Sequence, residues 1–260
     1  MSAAAPGTVV LDIGKTNAKL TLIDAAGATL AERRTPNTVR RDGPYPHHDT
    51  ERLWAWMLAQ LRELSKLAHI RAIVPVTHGA TAALVDEAGL VLPVLDYEHP
   101  LPNAECAAYD TLRPAFADSG SPGLPAGLNL GRQLAWLQAR HPADFARATQ
   151  LLMYPQYWAW RLCGVAASEV TSLGCHTDLW QPSEGRFSAL VERQGWVPLF
   201  PPRREAWARL GVLRPELAAD TGLPADCEVV CGIHDSNASL LRHLLTLPSS
   251  GACTVLSTGT

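Results

Sequence analysis

A chain of 260 residues with 47% hydrophobic and 18% charged residues can bury a sizeable core, as one large domain or two small ones. A net charge of −3 leaves no basic footprint for nucleic acid, and no apolar run approaches the roughly 18 residues that a membrane span needs. The six cysteines form no C-x-x-C pair, and the opening Met1-Ser2-Ala3-Ala4-Ala5 lacks the charged start and apolar region of a signal peptide, so reduced buried thiols in the cytoplasm are expected.

Two β-branched apolar runs, Val9–Ile13 and Ala18–Ile23, flank a polar turn and predict a hairpin. The turn region holds Asp12, Gly14, Lys15, Thr16, Asn17 and Lys19. Glycine lets backbone N–H groups approach a phosphate, and the hydroxyl and amide add donors. Asp12 alone would repel phosphate, but a divalent cation or a metal-bound water between the two makes it useful. An ordinary hairpin with a solvated turn fits the same pattern. A P-loop does not: its first glycine would fall on Val9, inside a strand.

A third strand is predicted from Gly27 to Arg34, followed by a loop from Pro36 to His48 in which His47 and His48 are exposed. Asp49 caps a helix from Thr50 to Lys66 with Leu53, Met57, Leu61 and Leu64 on one face. A short buried strand, Arg71–Thr77, ends in His78-Gly79, and Ala83–Val85 with Leu90–Leu95 predicts another hairpin. Asp96-Tyr97-Glu98 follows it, either at a ligand site on a strand end or as an acidic surface turn.

From Leu101 to Ala148 the pattern is mostly helical, broken at Ser119–Gly127, with one helix over Asn129–Arg140. A brief strand at Leu151–Met153 leads into a helix over Pro155–Cys163 stopped by Gly164. Its Trp158 and Trp160 suit core or interface anchors better than a sugar-stacking platform. Ser168–Trp180 is polar, and Gln181–Pro215 carries turns and short helices. Glu228–Cys231 predicts a strand, Gly232 its exit, and Ile233–Leu245 a helix with His234 and Asp235 in its first turn. There Asp235 is either a helix-capping group or an ionised general base. Residues 249–260 begin a new strand and a second small polar turn, Ser257-Thr258-Gly259-Thr260.

Three motifs thus stand in order: Asp12-x-Gly14-x-Thr16-x-x-Lys19, Gly232-x-His234-Asp235 and Ser257-Thr258-Gly259-Thr260. Together they resemble the FGGY family of carbohydrate kinases. The resemblance implies an α/β fold: a ribonuclease-H-like domain of the actin and hexokinase type over residues 1–247, its mixed sheet flanked by helices. The first strand and phosphate hairpin of a second such domain, which would bind ATP, occupy 248–260. It implies ATP and Mg²⁺, with phosphates served by Asp12, Gly14, Lys15, Thr16, Asn17, Lys19 and Ser257 to Thr260. Asp12 would hold the metal through water, and Asp235 is a second candidate metal contact. Asp235 is the implied catalytic base. Sugar-pocket positions carry over to His78, Gly79, Asp96, Tyr97, Glu98, Thr171, Ser172, His234 and Asp235.

This sequence departs from the family pattern at Lys15, where many members have threonine, and at His78-Gly79, where many have Gln-Gly. The His234-Asp235 pair is similar to rhamnulokinases and fuculokinases, which implies a (deoxy)ketose acceptor. Xylulose, ribulose or glycerol, and a non-catalytic sugar-binding remnant, are the alternatives. The expected partner is a small sugar, without nucleic acid or membrane, and a homodimer is left open. If 260 residues are the whole chain, sugar binding with little phosphoryl transfer is expected.

Overall fold

The computed structural model describes residues 5–246 and 254–255. β1 (Pro6–Ile13), β2 (Asn17–Asp24) and β3 (Thr29–Pro36) form an antiparallel meander, as the alternating pattern predicts. Val9, Leu11, Ile13, Leu20 and Leu22 are buried on one face, while Val10, Asp12 and Lys19 lie half-buried on the other.

The segment after β3 is not an exposed loop. The two-residue strands β4 (Val39–Arg40) and β5 (His47–His48) pair, and both histidines are buried. Helix α1 (Thr50–Leu64) then begins at Asp49, whose carboxylate accepts from the Arg52 N–H at 3.2 Å. It buries Leu53, Met57, Leu61 and Leu64 against the sheet, as its apolar spacing requires.

β6 (His69–Thr77) returns parallel to β1, and β7 (Ala82–Asp86) turns back to β8 (Gly89–Leu90). The second arm of this hairpin stops earlier than Leu95. The chain beyond it pairs with β5 instead: the His48 N–H donates to the Val94 carbonyl at 2.9 Å. The helices α2 (Asn103–Asp110), α3 (Phe116–Ser119), α4 (Leu130–Arg140) and α5 (Pro142–Phe145) follow, and β9 (Gln150–Met153) adds to β7.

Helix α6 (Tyr154–Cys163) carries proline in its first turn and ends at Gly164, whose φ of 81° suits a residue without Cβ. Trp158 is fully buried and Trp160 packs against the core, so both are structural aromatics. α7 (Val170–Leu173), β10 (Trp180–Gln181), β11 (Arg186–Phe187), α8 (Ala189–Arg193), β12 (Arg209–Val212) and α9 (Pro215–Thr221) lead back to the main sheet.

There the chain departs from the predicted strand and helix. β13 (Glu228–Val230) and β14 (Ile233–His234) both run parallel beside β6, separated by Cys231-Gly232. Only then does α10 (Asp235–Leu244) start. Gly232 has φ 89°, and a Cβ there would stand 2.5 Å from the Pro75 carbonyl oxygen. The Gln156 side-chain amide fixes this kink: its Nε2 donates to the Cys231 and Gly232 carbonyls at 3.1 and 3.3 Å. His234 is therefore the last strand residue and the helix N-cap, not a first-turn helical residue.

The main sheet runs β12-β13-β6-β1-β2-β3 with β14 also on β6, flanked by helices: the mixed parallel and antiparallel layer of the ribonuclease-H-like fold. Its core packs Val9, Leu11 and Ile13 with α1, α6 and α9. A second core gathers Leu84, Leu130, Leu134, Trp136 and Trp196 under β7, β9 and α4. Cys227 and Cys231 are buried free thiols as expected, whereas Cys106, Cys163 and Cys175 are only partly buried. Among the described residues no helix is long and apolar enough to cross a membrane. The predicted turn Ser257-Thr258-Gly259-Thr260 lies outside the described residues; Thr254 and Val255, within the predicted strand, are exposed and irregular.

Candidate active site

Three parallel strands end side by side. Ile13 of β1 pairs with Thr77 of β6, and Thr77 pairs with His234 of β14. The next residues of the three strands are Gly14, His78 and Asp235, so motifs more than 200 residues apart meet at one sheet edge. Adjacent strands lie about 4.8 Å apart, which puts the first and third strand ends roughly 10 Å from one another. Ligands of open α/β sheets bind outside such carboxyl ends.

The β1–β2 turn is fixed by its own backbone. Gly14 N–H donates to the Asn17 carbonyl at 2.9 Å, and Asn37 donates from its backbone N–H to Thr16 and from Nδ2 to Gly14, both at 2.8 Å. Thr16 and Asn17 are left exposed. Asp12 and Lys19 face each other across the hairpin and ion-pair at 2.7 Å, both about one-third exposed. Lys15 takes another direction: its ammonium contacts the Asp96 carboxylate, lies 3.4 Å from Glu98 Oε2 and sits 4.5 Å from the Tyr97 ring centroid.

His78, Tyr97 and Tyr154 pack together with His48, the His78 and Tyr154 rings 5.1 Å apart. Burial holds the His78 imidazole down to about 4, against a hydrogen bond to the Gly79 carbonyl that pulls the other way. His48 is likewise held well below the usual imidazole range by burial first and by His78 and Lys15 next. Burial raises the Tyr97 phenol to about 12, helped by the carboxylates of Glu98, Asp96 and Asp235. Both histidines are thus uncharged at neutral pH.

On the other side, the buried Glu169 carboxylate caps α7. It accepts from Thr171 N–H at 2.8 Å, Thr171 Oγ1 at 2.5 Å and Ser172 N–H at 3.3 Å. Burial raises this carboxyl, and the three donors oppose that. Thr171 Oγ1 in turn accepts from the His234 backbone N–H at 3.1 Å. The His234 ring is held by Asn237 Oδ1 at 2.8 Å, with Cys175 Sγ 3.7 Å from Nε2. Nε2 stands 3.3 Å from Asp235 Oδ1, and Asp235 remains 37% exposed at the helix start. Gly79 lies against this ring, where a Cβ would come within 2.7 Å of Nε2. A cleft of 660 Å³ opens beside Thr171, Cys175 and Asn237.

Among the residues singled out from sequence, Asp12, Gly14, Lys15, Thr16, Asn17, Lys19, His78, Gly79, Asp96, Tyr97, Glu98, Thr171, His234 and Asp235 border this edge. Ser172 is buried, and its Oγ has no hydrogen-bond partner among the described residues. Glu169, Cys175 and Asn237 were given no role by sequence reasoning. Asn237 could have been found from its i+3 spacing to the helix cap His234, whereas Cys175 carries no local signal.

Magnesium usually keeps several waters and takes one or two carboxylates together with nucleotide phosphates. Among the described residues no group of three or more metal-ligating side chains exists, but the half-exposed Asp12 beside a hydroxyl-bearing turn fits that sparse requirement.

Residues 121–241 match the model of the FGGY family of carbohydrate kinases, N-terminal domain. L-fuculokinase of Escherichia coli (strain K12) is 27% identical over 242 residues, covering 89% of this chain and 51% of that protein. The crystal structure of a carbohydrate kinase from Novosphingobium aromaticivorans is 43% identical with a TM-score of 0.89, over 94% of this chain and 51% of that one. Xylulose kinase from Rhodospirillum rubrum, 22% identical with a TM-score of 0.79 over 93% of this chain and 52% of that one, shares the fold. The chain spans about half the length of these relatives. Residues 121–241 thus match the N-terminal domain of the FGGY carbohydrate kinases, and most of the chain is similar to about half of proteins described as carbohydrate kinases.

Proposed function

We propose that this chain forms the acceptor-binding and base-bearing part of an ATP-dependent carbohydrate kinase. The observation that carries the reading is the pairing of Ile13, Thr77 and His234, which puts the Asp12 hairpin and Asp235 on one sheet edge. Asp235 accepts the proton of a sugar hydroxyl as that oxygen attacks the γ-phosphorus of ATP. Its half-exposed carboxylate at a helix start stands beside His234, whose backbone N–H is held by Thr171 and whose ring meets Asn237 and Cys175. The β1–β2 turn, through Gly14, Thr16 and Asn17, holds phosphate oxygens, and Lys19 balances Asp12. Magnesium held by Asp12 and the phosphates would neutralise charge on the transferred group. His78, Asp96 and Tyr97 line the acceptor side.

The preferred acceptor is a (deoxy)ketose such as fuculose or rhamnulose, supported by the fuculokinase relative and the His234-Asp235 pair. The test is ADP release from MgATP across ketoses and glycerol, with Asp235→Asn as control. Sugar-independent hydrolysis, or full turnover in the variant, would falsify it.

A further inference from the structure

Three residues that hold His234 also wall the 660 Å³ cleft beside it. Thr171 Oγ1 accepts from the His234 backbone N–H, Asn237 Oδ1 meets the ring, and Cys175 Sγ stands 3.7 Å from Nε2. No carboxylate lines this cleft, and Arg203 is the permanent cation in its wall. Arg203 is held in place. Its Nη1 donates to the Gly185 carbonyl at 2.9 Å, and the guanidinium lies 5.2 Å from the Trp180 ring centroid. The backbone on either side is fixed as well: Ser168 N–H donates to the Pro202 carbonyl at 3.1 Å, and Arg204 N–H donates to the Ser168 carbonyl at 2.8 Å. Among the described residues no carboxylate pairs with Arg203, so Nε and Nη2 stay available.

We propose that this cleft binds the oxyanion of a small polyhydroxy molecule, a carboxylate or a phosphate, with Arg203 as its anchor. The site is additional to Asp235 and does not depend on the kinase reading. A guanidinium fork matches the spacing of carboxylate and phosphate oxygens, and its charge attracts them. Asn237 adds a neutral donor, because its Oδ1 serves the His234 ring and leaves Nδ2 for a ligand. His176 suits a hydroxyl: its Nδ1 donates to the Leu128 carbonyl at 2.8 Å, which leaves Nε2 as the acceptor. The segment carrying His176 is pinned. His176 and Asp178 have φ of 40° and 65°, and the buried Asp178 carboxylate is tied to Arg113 and Tyr109 at 2.8 Å each. An occupant therefore meets a preformed wall, made partly of the residues that set the place of His234.

The experiment measures binding by calorimetry, without nucleotide, to wild type, Arg203→Met and Arg203→Lys. The probes are D-gluconate and D-glucitol 6-phosphate, each set against neutral D-glucitol. Wild type should bind at least one of the anions about tenfold or more tighter than D-glucitol. Arg203→Met should lose that preference. Arg203→Lys should keep part of it, since lysine restores the charge without the planar fork. Arg203 is exposed, so both variants should fold, and the lysine variant alone decides the matter if the methionine variant does not. Equal binding of D-glucitol and both anions, no binding of any probe, or an undiminished preference in either variant overturns the proposal. Titrating the bound anion with L-fuculose separates two sources of the same chemistry. Mutual exclusion assigns the oxyanion to the acceptor itself, and simultaneous binding assigns it to a second molecule. A protein that shows the anion preference but releases no ADP with any sugar fails the kinase reading and keeps this site.

Discussion

The His234 backbone N–H donates to Thr171 Oγ1 at 3.1 Å, joining the first turn of α7 to the residue before the proposed base. Thr171 is itself held by the buried Glu169, so α7 and the start of α10 act as one support. Replacing Thr171 with valine removes both bonds and leaves a buried carboxylate short of a donor. The expected loss is roughly 1–3 kcal/mol in urea unfolding, with a lower kcat. Thr171→Ser should keep most of both, and equal damage from the two variants would show that the methyl group, not the hydroxyl, matters.

Close packing at Gly79 makes a second prediction. An added Cβ would stand 2.7 Å from His234 Nε2 and 3.1 Å from Cδ2, so the ring must move away from Asn237. Gly79→Ala should raise the sugar KM and cost about 1–3 kcal/mol of stability. Unchanged sugar kinetics would mean that the His234 ring position is not used.

The sign of the pH dependence follows from the buried histidines. In the unfolded chain they titrate near 6.5, whereas burial holds folded His78 down to about 4 and His48 well below the usual range. Between pH 6.5 and 4 the unfolded state binds more protons, so stability is present above that window and is lost as pH falls through it. The loss from His78 should be roughly 1–3 kcal/mol by pH 4.5. His48→Phe should reduce the slope of unfolding free energy against pH over the same range. An unchanged slope would place His48 in contact with water.

Much of the main sheet was legible because its signals are local. The alternation in β1 and β2, the Asp49 cap, the apolar face of α1 and the Gly164 stop of α6 all depend on neighbours within a few residues. His47 and His48 looked exposed because their burial comes from pairing with Val94-Leu95, far along the chain. Ile233 and His234 looked helical because Gly232 reads as a strand exit, whereas its positive φ resets the chain for two more residues beside Val76 and Thr77. In the site, the Asp12 and Asp235 motifs could be read from sequence. The direction of Lys15 and the contact of Cys175 are set by tertiary approach and could not, whereas Asn237 lies three residues after His234 and carried a local signal.

Asp12 separates stability from cation use. Its pair with Lys19 is about one-third exposed on both sides, so Asp12→Asn should change stability by no more than ~1 kcal/mol. The Mg²⁺ concentration giving half-maximal turnover should rise in a titration at fixed ATP, with sugar binding unaltered. An identical Mg²⁺ curve would remove Asp12 from the phosphate side.

The most direct measurement is sugar-dependent ADP release from MgATP by the wild-type protein and by Asp235→Asn. The account predicts release with one ketose in the wild type, and a fall of about 10²–10⁴-fold in kcat in the variant with sugar binding retained. Turnover by Asp235→Asn at the wild-type rate would contradict it.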